Sequence, residues 1–292
     1  MIYGRKFKQE NKVKVVVGTV IYRNAWNWHQ DFLNSLIEQT DNEFDLLVVN
    51  DGIGEVDLKC FAEKCHKLQI DIIKGNEDAS ISENRIRLLA EAKNRKYDLL
   101  IWADFDDWFS KDRIEYMKNL YHVDICIYYH NLRIDHGFKA LFSSLPPYID
   151  KIDELLEKNF LGLSNTAVNL NLIEPDLITS LENVQTNIFD WYFFSRLLLE
   201  EKKGIQVPVA YTCYRQQENQ LAGIVHDDFK SLKKEIEIKL HHYLLLKQYS
   251  SIYSILYDSY ASLSGMKESD MRKYLANETN NMWWSNFKLR RE

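Results

Sequence analysis

Glycine and proline are scarce, with ten and four among 292 residues. That excludes long flexible linkers, Pro-rich spacers and low-complexity tracts. The length is enough to bury a full core, as one large domain or two smaller ones. Cysteine is also rare: Cys60, Cys65, Cys126 and Cys213 are too few for a disulfide scaffold. Cys60, Cys65 and His66 lack the spacing of a zinc knuckle and no second pair follows, so they read as reduced thiols packed in a helix. An excess of cations is missing too, the formal net charge being -6. That predicts no nucleic-acid partner, although a mild excess of acid suits a site for a divalent cation. No apolar run reaches the roughly 18 residues that span a bilayer. The opening MIYGRKFKQENKVK has no apolar centre and does not read as a signal peptide. Together these absences predict a cytoplasmic protein.

What is present is a regular alternation. VKVVVGTVIY (13–22), FDLLVVNDG (44–52), IDIIKG (70–75) and YDLLIWA (97–103) read as buried strands. Between them, residues 28–40, 56–68 and 82–96 carry helical spacing, the last with Ser82 as its expected cap. This β-α-β-α-β-α-β order predicts an α/β fold with a mostly parallel sheet covered on both faces. Ligands bind such sheets at the carboxyl ends of strands. The second half is less regular. Residues 123–134 suggest a strand or hairpin, 183–200 an apolar helix carrying Asp190, and 207–215 a strand entering a polar loop. From Asp227 onward Leu232, Ile236, Leu240, Tyr243 and Leu244 fall near one helical face. The expected division is a catalytic domain over 1–226 and a helical C-terminal extension over 227–292, accessory to chemistry.

Asp104, Asp106 and Asp107 crowd within four residues at the end of the strand in LLIWADFDDWF (99–109). Like charges this close need compensation. In an extended segment Asp104 and Asp106 face one side and Phe105 the other, so two carboxylates converge as oxygen ligands for Mg²⁺ or Mn²⁺. A solvated acidic loop with Asp107 capping a helix is the alternative. Asp190 likewise reads as a general base or as the N-cap of WYFFSRLLL.

The ordered motifs VVVGTVIYRN, FLNSLIEQT, LLVVNDG, LLIWADFDDWF, FDWYFFSRL and YRQQENQLAG, spread over residues 13–225, resemble the family 2 glycosyltransferases of GT-A fold. The resemblance implies a metal-dependent, inverting sugar transfer from a nucleotide-sugar donor to a glycan or lipid-linked acceptor, in bacterial surface polysaccharide synthesis. It implies that Asp51 holds the base or ribose, Asp104 lies near ribose and metal, Asp106 ligates the cation, and Asp190 is the base. Arg85 and Arg215 would approach the nucleotide and its diphosphate. The chain departs from the family at Asn50, Phe189, Gln217 and Gln220. His226 offers a substitute metal ligand or is a surface histidine.

Gly162, Ser164 and Asn165 in FLGLSNTAV line a sugar pocket or form an ordinary turn. Asp107 and Gln217 complete the expected acceptor side. In the tail, Trp283, Trp284 and Phe287 beside Lys288, Arg290 and Arg291 suit a peripheral membrane contact, a packed helix or a homo-oligomer contact. Two rivals stand beside the transferase: a nucleotidyltransferase, which the single glycine of VVVGTVIYRN disfavours, and a catalytically idle GT-A module that binds nucleotide or glycan.

Overall fold

The computed structural model describes residues 12–65, 68–76, 79–134, 137–216, 229–276 and 279–289. The first half alternates as expected: β1 (Val15–Tyr22), α1 (His29–Ile37), β2 (Asp45–Asp51), α2 (Glu55–Lys64), β3 (Gln69–Lys74), α3 (Ile81–Asn94) and β4 (Leu99–Trp102). Then come β5 (Trp108–Phe109), α4 (Arg113–Asn119), β6 (Ile127–Ile134), β7 (Lys139–Ala140), β8 (Tyr148–Ile149) and β9 (Thr166–Asn169). The chain continues through α5 (Pro175–Leu181), α6 (Phe189–Leu199), β10 (Gly204–Cys213), α7 (Phe229–Leu246), α8 (Ser251–Ser264) and the short α9 (Glu268–Met271).

One sheet runs in the order β3-β2-β1-β4-β9-β6-β10-β5, with β7 on β6 and β8 on β10. Its β3-β2-β1-β4 half is parallel. Strand β9 is antiparallel to both β4 and β6, so the second half is mixed. The stretch 123–134, expected as a strand or hairpin, carries one strand, β6, which pairs antiparallel with the short β7 beyond it. Pairing of β10 with β6 breaks between Gln206 and Tyr211, around Pro208, which has no N–H to donate.

Strand residues alternate between two buried clusters, one on each face. Val15, Val17, Leu46, Val48, Leu99 and Ile101 pack against Phe32 and Leu36 of α1, Phe61 of α2 and Met117 of α4. Val16, Leu47, Val49, Leu100 and Trp102 pack against α3, α5 and α6 on the other face. Both faces are apolar because helices cover both, which is why the strands read as continuous β-branched runs.

Helices α7 and α8 join this second cluster through Leu232, Ile236, Tyr243, Tyr253 and Tyr260. The buried face of α7 is rotated from the expected one. Leu244 is 44% exposed, while Lys239 and His242 are fully buried. The ammonium of Lys239 is held 3.1 Å from Glu235 and donates to Tyr260 Oη and the Phe287 carbonyl. The expected boundary at 226/227 lies outside the described residues.

The cap of α3 also differs. Ser80, two residues earlier than expected, forms a capping box with Glu83. Ser82 is buried and donates to the Thr186 carbonyl. No described helix is long and apolar enough to cross a membrane. All four cysteines are free thiols, and only Cys60 is exposed.

Candidate active site

The acids sit where β4 ends. Phe105 turns into the apolar cluster beside Trp26, Phe32 and Phe61. Asp104 and Asp106 instead line a cavity of about 500 Å³. Helix α3 aims Arg85 at the same place, where its guanidinium lies 3.2 Å from Asp104. Tyr22, at the end of β1, completes this side of the cavity. Burial first, and then the charges of Asp106 and Asp104, push its phenol far above the ordinary range.

Asp107 does something else. It is buried beneath the cavity and absent from its lining. It caps no helix, since α4 starts at Arg113. Instead it accepts the backbone N–H of Arg215 at 2.8 Å. Burial, then Asp106 and Asp104, push its carboxyl well above the usual range, against the pull of Ser164 and the Arg215 N–H.

The cation facing these acids from below is Arg113, a residue with no signal in its own stretch of sequence. It is fully buried and donates to the carbonyls of Trp102 and Ser164 at 2.7 and 2.9 Å. It also donates to His130 Nε2 at 2.9 Å, which requires that nitrogen to be unprotonated. His130 Nδ1 lies 2.9 Å from the Asn131 carbonyl and takes the proton there. Burial, then Arg113, holds His130 well below its ordinary value, in its neutral form. Burial lowers Arg113 to about 9, while Asp107 and Asp104 act to raise it.

Asp190 lines the same cavity from the first turn of α6. The cap position belongs to Ile188, so Asp190 is free of that task. Loss of hydration raises its carboxyl to about 6, although Arg85 and the N–H groups of Trp191 and Asp190 pull downward. Buried Asn159 donates its side-chain amide to Asp190 Oδ2 at 3.3 Å.

Gly162, Ser164 and Asn165 reach the cavity on a 3-10 turn before β9. The Asn165 side chain is consumed within the protein: it accepts from the Gly162 N–H and donates to the carbonyls of His130 and Phe160.

The expected nucleotide residues divide. Asp51 lines a separate cleft of about 720 Å³ with Arg23, Asn50, Gly52 and Lys74. Asn50 closes the turn there by donating to the Ile53 carbonyl and accepting the Ile53 N–H, which a carboxylate could not do at both ends. Gly52 has φ +87°, where a side chain would be strained. Arg215 is engaged elsewhere: it donates to the Asp106 carbonyl and pairs with Asp31 at 2.8 Å, with Trp28 and Trp108 beside it. Gln217 and His226 lie outside the described residues, as do His66, Gln220, Arg290 and Arg291.

The tail, expected to be accessory to chemistry, reaches the cavity. Trp283 and Trp284 both line the cavity. Trp283 is buried, packs edge-on to Phe142 and Tyr214, and fills the space a side chain at Gly162 would need. Its N–H and C=O pair with those of Asn159 at 2.9 and 2.8 Å. Tyr214 lines the same cavity. Burial and then Asp107, Asp104, Asp106 and Asp190 push its phenol well above the ordinary range.

Among the described residues no three His, Cys, Asp or Glu side chains gather as a metal cage. The donor set still fits a divalent ion of the kind that takes one or two carboxylates and fills its other positions with water and substrate phosphate. Asp104 and Asp106 supply two such carboxylates at the cavity surface.

Residues 18–158 match the family described as Glycosyl transferase family 2. The comparison with curated proteins gave no match. Among solved structures, S. aureus TarS 1-349 is similar at 15% identity, TM-score 0.57, over 85% of this chain and 71% of that one. The same protein in complex with UDP-GlcNAc is similar at 16% identity, TM-score 0.56, over 88% and 78%. The mannosyltransferase PcManGT from Pyrobaculum calidifontis, in complex with GDP-Man and Mn²⁺, is similar at 11% identity, TM-score 0.56, over 87% and 74%. Over residues 18–158 the chain is thus similar in sequence to the family 2 glycosyltransferases, and over most of its length it shares the GT-A fold of these structures.

Proposed function

We propose that this chain is an inverting, metal-dependent glycosyltransferase that moves a sugar from a nucleotide-sugar donor to a hydroxyl of a glycan or lipid-linked acceptor. The observation that carries the proposal is a single cavity lined both by the strand-end acids Asp104 and Asp106 and by Asp190. The family match over 18–158 supports it, as do similar structures holding UDP-GlcNAc or GDP-Man with Mn²⁺.

Asp104 and Asp106 would hold Mn²⁺ or Mg²⁺, whose Lewis acidity stabilises a departing diphosphate. Arg85 neutralises part of the acid charge and orients Asp104. The Asp51 cleft takes the base and ribose of the donor, and the Gly162–Asn165 turn borders its sugar. Asp190 accepts the proton of the acceptor hydroxyl as that oxygen attacks the anomeric carbon. The new C–O bond forms as the bond to the diphosphate breaks, and the proton ends on the Asp190 carboxylate. A single displacement with one base inverts the anomeric configuration. Surface-polysaccharide synthesis at the inner face of a bacterial membrane is the setting we assign.

The test is coupled binding. UDP or GDP should bind more tightly with Mn²⁺ than with chelator, and Asp106→Ala should remove that difference while the fold survives. At a hundred times its dissociation constant the nucleotide should stabilise the protein by about 2.7 kcal/mol. Equal affinity with metal and with chelator would remove the cation from the site. Metal-coupled binding without turnover of any nucleotide sugar offered would leave a binding module instead of an enzyme.

A further inference from the structure

We propose that Trp284 is a stacking platform for a pyranose ring of the acceptor, presented by the C-terminal segment 279–289. The acceptor role rests on the transferase function proposed above.

Trp284 is half-buried and lines the cavity that holds Asp190 and Tyr214. Its backbone is in the left-handed region, with φ +58°. Asn280 and Asn281 in the same segment share that conformation, at φ +51° and +57°. Asparagine tolerates it because its short polar side chain bonds locally; a bulky residue there is a true outlier. Asparagine or glycine would fill position 284 with less strain. The indole is therefore what the position supplies, and strain of this kind concentrates where a side chain must be aimed.

The segment is fixed firmly enough to aim it. The fully buried Lys239 donates to the Phe287 carbonyl, and buried Glu235 accepts from the Phe287 N–H and the Asn286 amide. Leu289 N–H reaches Glu157, and Ser143 N–H reaches the Asn280 carbonyl. A buried Lys–Glu pair is costly unless its remaining hydrogen bonds are satisfied, and here the tail backbone satisfies them.

The wall is also registered to the base. Trp283 pairs its backbone with Asn159, whose amide donates to Asp190. Trp284 follows directly, and its indole lines the same cavity as Asp190. A pyranose presents a face of C–H bonds with partial positive charge, complementary to the electron-rich indole face. Its hydroxyls point outward toward groups such as Asp190.

The experiment uses the full chain with methyl pyranosides of glucose, galactose, mannose and N-acetylglucosamine, followed by saturation-transfer NMR. UDP and GDP with Mn²⁺ are titrated in parallel by calorimetry. Trp284→Gly and Trp284→Asn both suit the backbone, so relief of strain offsets part of the core packing the half-buried indole supplies, and both variants should fold. Each should lose glycoside affinity by roughly tenfold, while Trp284→Phe keeps most of it. Nucleotide affinity should be unchanged in all three. Unchanged glycoside binding in the Gly and Asn variants would overturn the proposal. So would a parent protein that binds none of the glycosides, or a loss of nucleotide affinity, which would mean that the indole stacks on the base. Failure of the parent to bind UDP or GDP would sink the transferase function itself, and that result is read in the separate calorimetric arm.

Discussion

The two walls of the cavity are built in different ways. The acid wall (Tyr22, Arg85, Asp104 and Asp106) comes from the ends of β1 and β4 and the start of α3, within the first 106 residues. Parallel strands deliver those side chains to one edge by their register alone. The opposite wall brings together Gly162, Asp190, Tyr214, Trp283 and Trp284, which are spread over more than a hundred positions. Its tryptophans reach it because the C-terminal segment packs back toward the sheet. The electrostatics differ as well. The acid wall is a set of like charges partly balanced by Arg85 and Arg113, and stays ready for a further cation. On the other wall, a single carboxyl is made basic by loss of hydration.

The largest effect on the acid wall should come from beneath it. Arg113→Met leaves Asp107 buried with less compensation, and removing one partner of a buried charge system costs about 3–5 kcal/mol. Chemical unfolding should show a loss of that size near neutral pH, and the loss should shrink as pH falls and Asp107 becomes protonated. A loss within about 0.5 kcal/mol, the range of ordinary surface changes, would mean that Arg113 does not balance the acids.

A smaller effect is expected at Asn159, a positioning residue for Asp190. Its amide favours the charged carboxylate, so if Asp190 is the proposed base, Asn159→Ala should raise its apparent pKa and cut transfer near neutrality by roughly tenfold. A merely structural role would lower the melting temperature and leave the pH profile in place.

The smallest and most diagnostic signal is the profile of the parent enzyme. Asp190 rises from the ordinary 3.8 to about 6. Its base form therefore grows as pH rises, and kcat/KM should climb about tenfold per pH unit below that value and level off above it. For stability the sign is opposite. The folded chain holds this proton more tightly than the unfolded chain, so the group favours folding at low pH, and that advantage is lost as pH rises through about 6. A rate flat from pH 5 to 8 would take Asp190 out of the rate-limiting step.

The acid wall was legible because its information is local. A β-branched run followed by Asp-x-Asp-Asp fixes both the strand end and the side to which Asp104 and Asp106 point. Asp190 was legible as an isolated acid in an apolar helix, but not whether it takes the cap position. That depends on where α6 begins, and Ile188 takes the cap position. Arg113 was invisible: SKDRIEYM reads as an ordinary charged helix, and only the fold buries it under β4. Arg215 was expected at the diphosphate, yet its guanidinium is held by Asp31 and the Asp106 carbonyl. Such competition among partners is settled by long-range packing. The tail was legible only as alternatives, a membrane contact, a packed helix or a contact between copies, because its packing is long-range: Lys239 and Glu235 clamp the segment that carries the tryptophans.

The joining of the two walls is tested most directly at Asp190. Asp190→Asn keeps the size and most hydrogen bonding of the side chain but cannot take a proton at neutral pH. Melting temperature, Mn²⁺-dependent UDP or GDP affinity and the transfer rate should be measured on one preparation. The first two should stay near the parent values, because the donor contacts proposed above belong to the acid wall and the Asp51 cleft. The rate should fall by roughly 10²–10⁴. Transfer at the parent rate would show that the carboxylate facing Asp104 and Asp106 across the cavity is not the base.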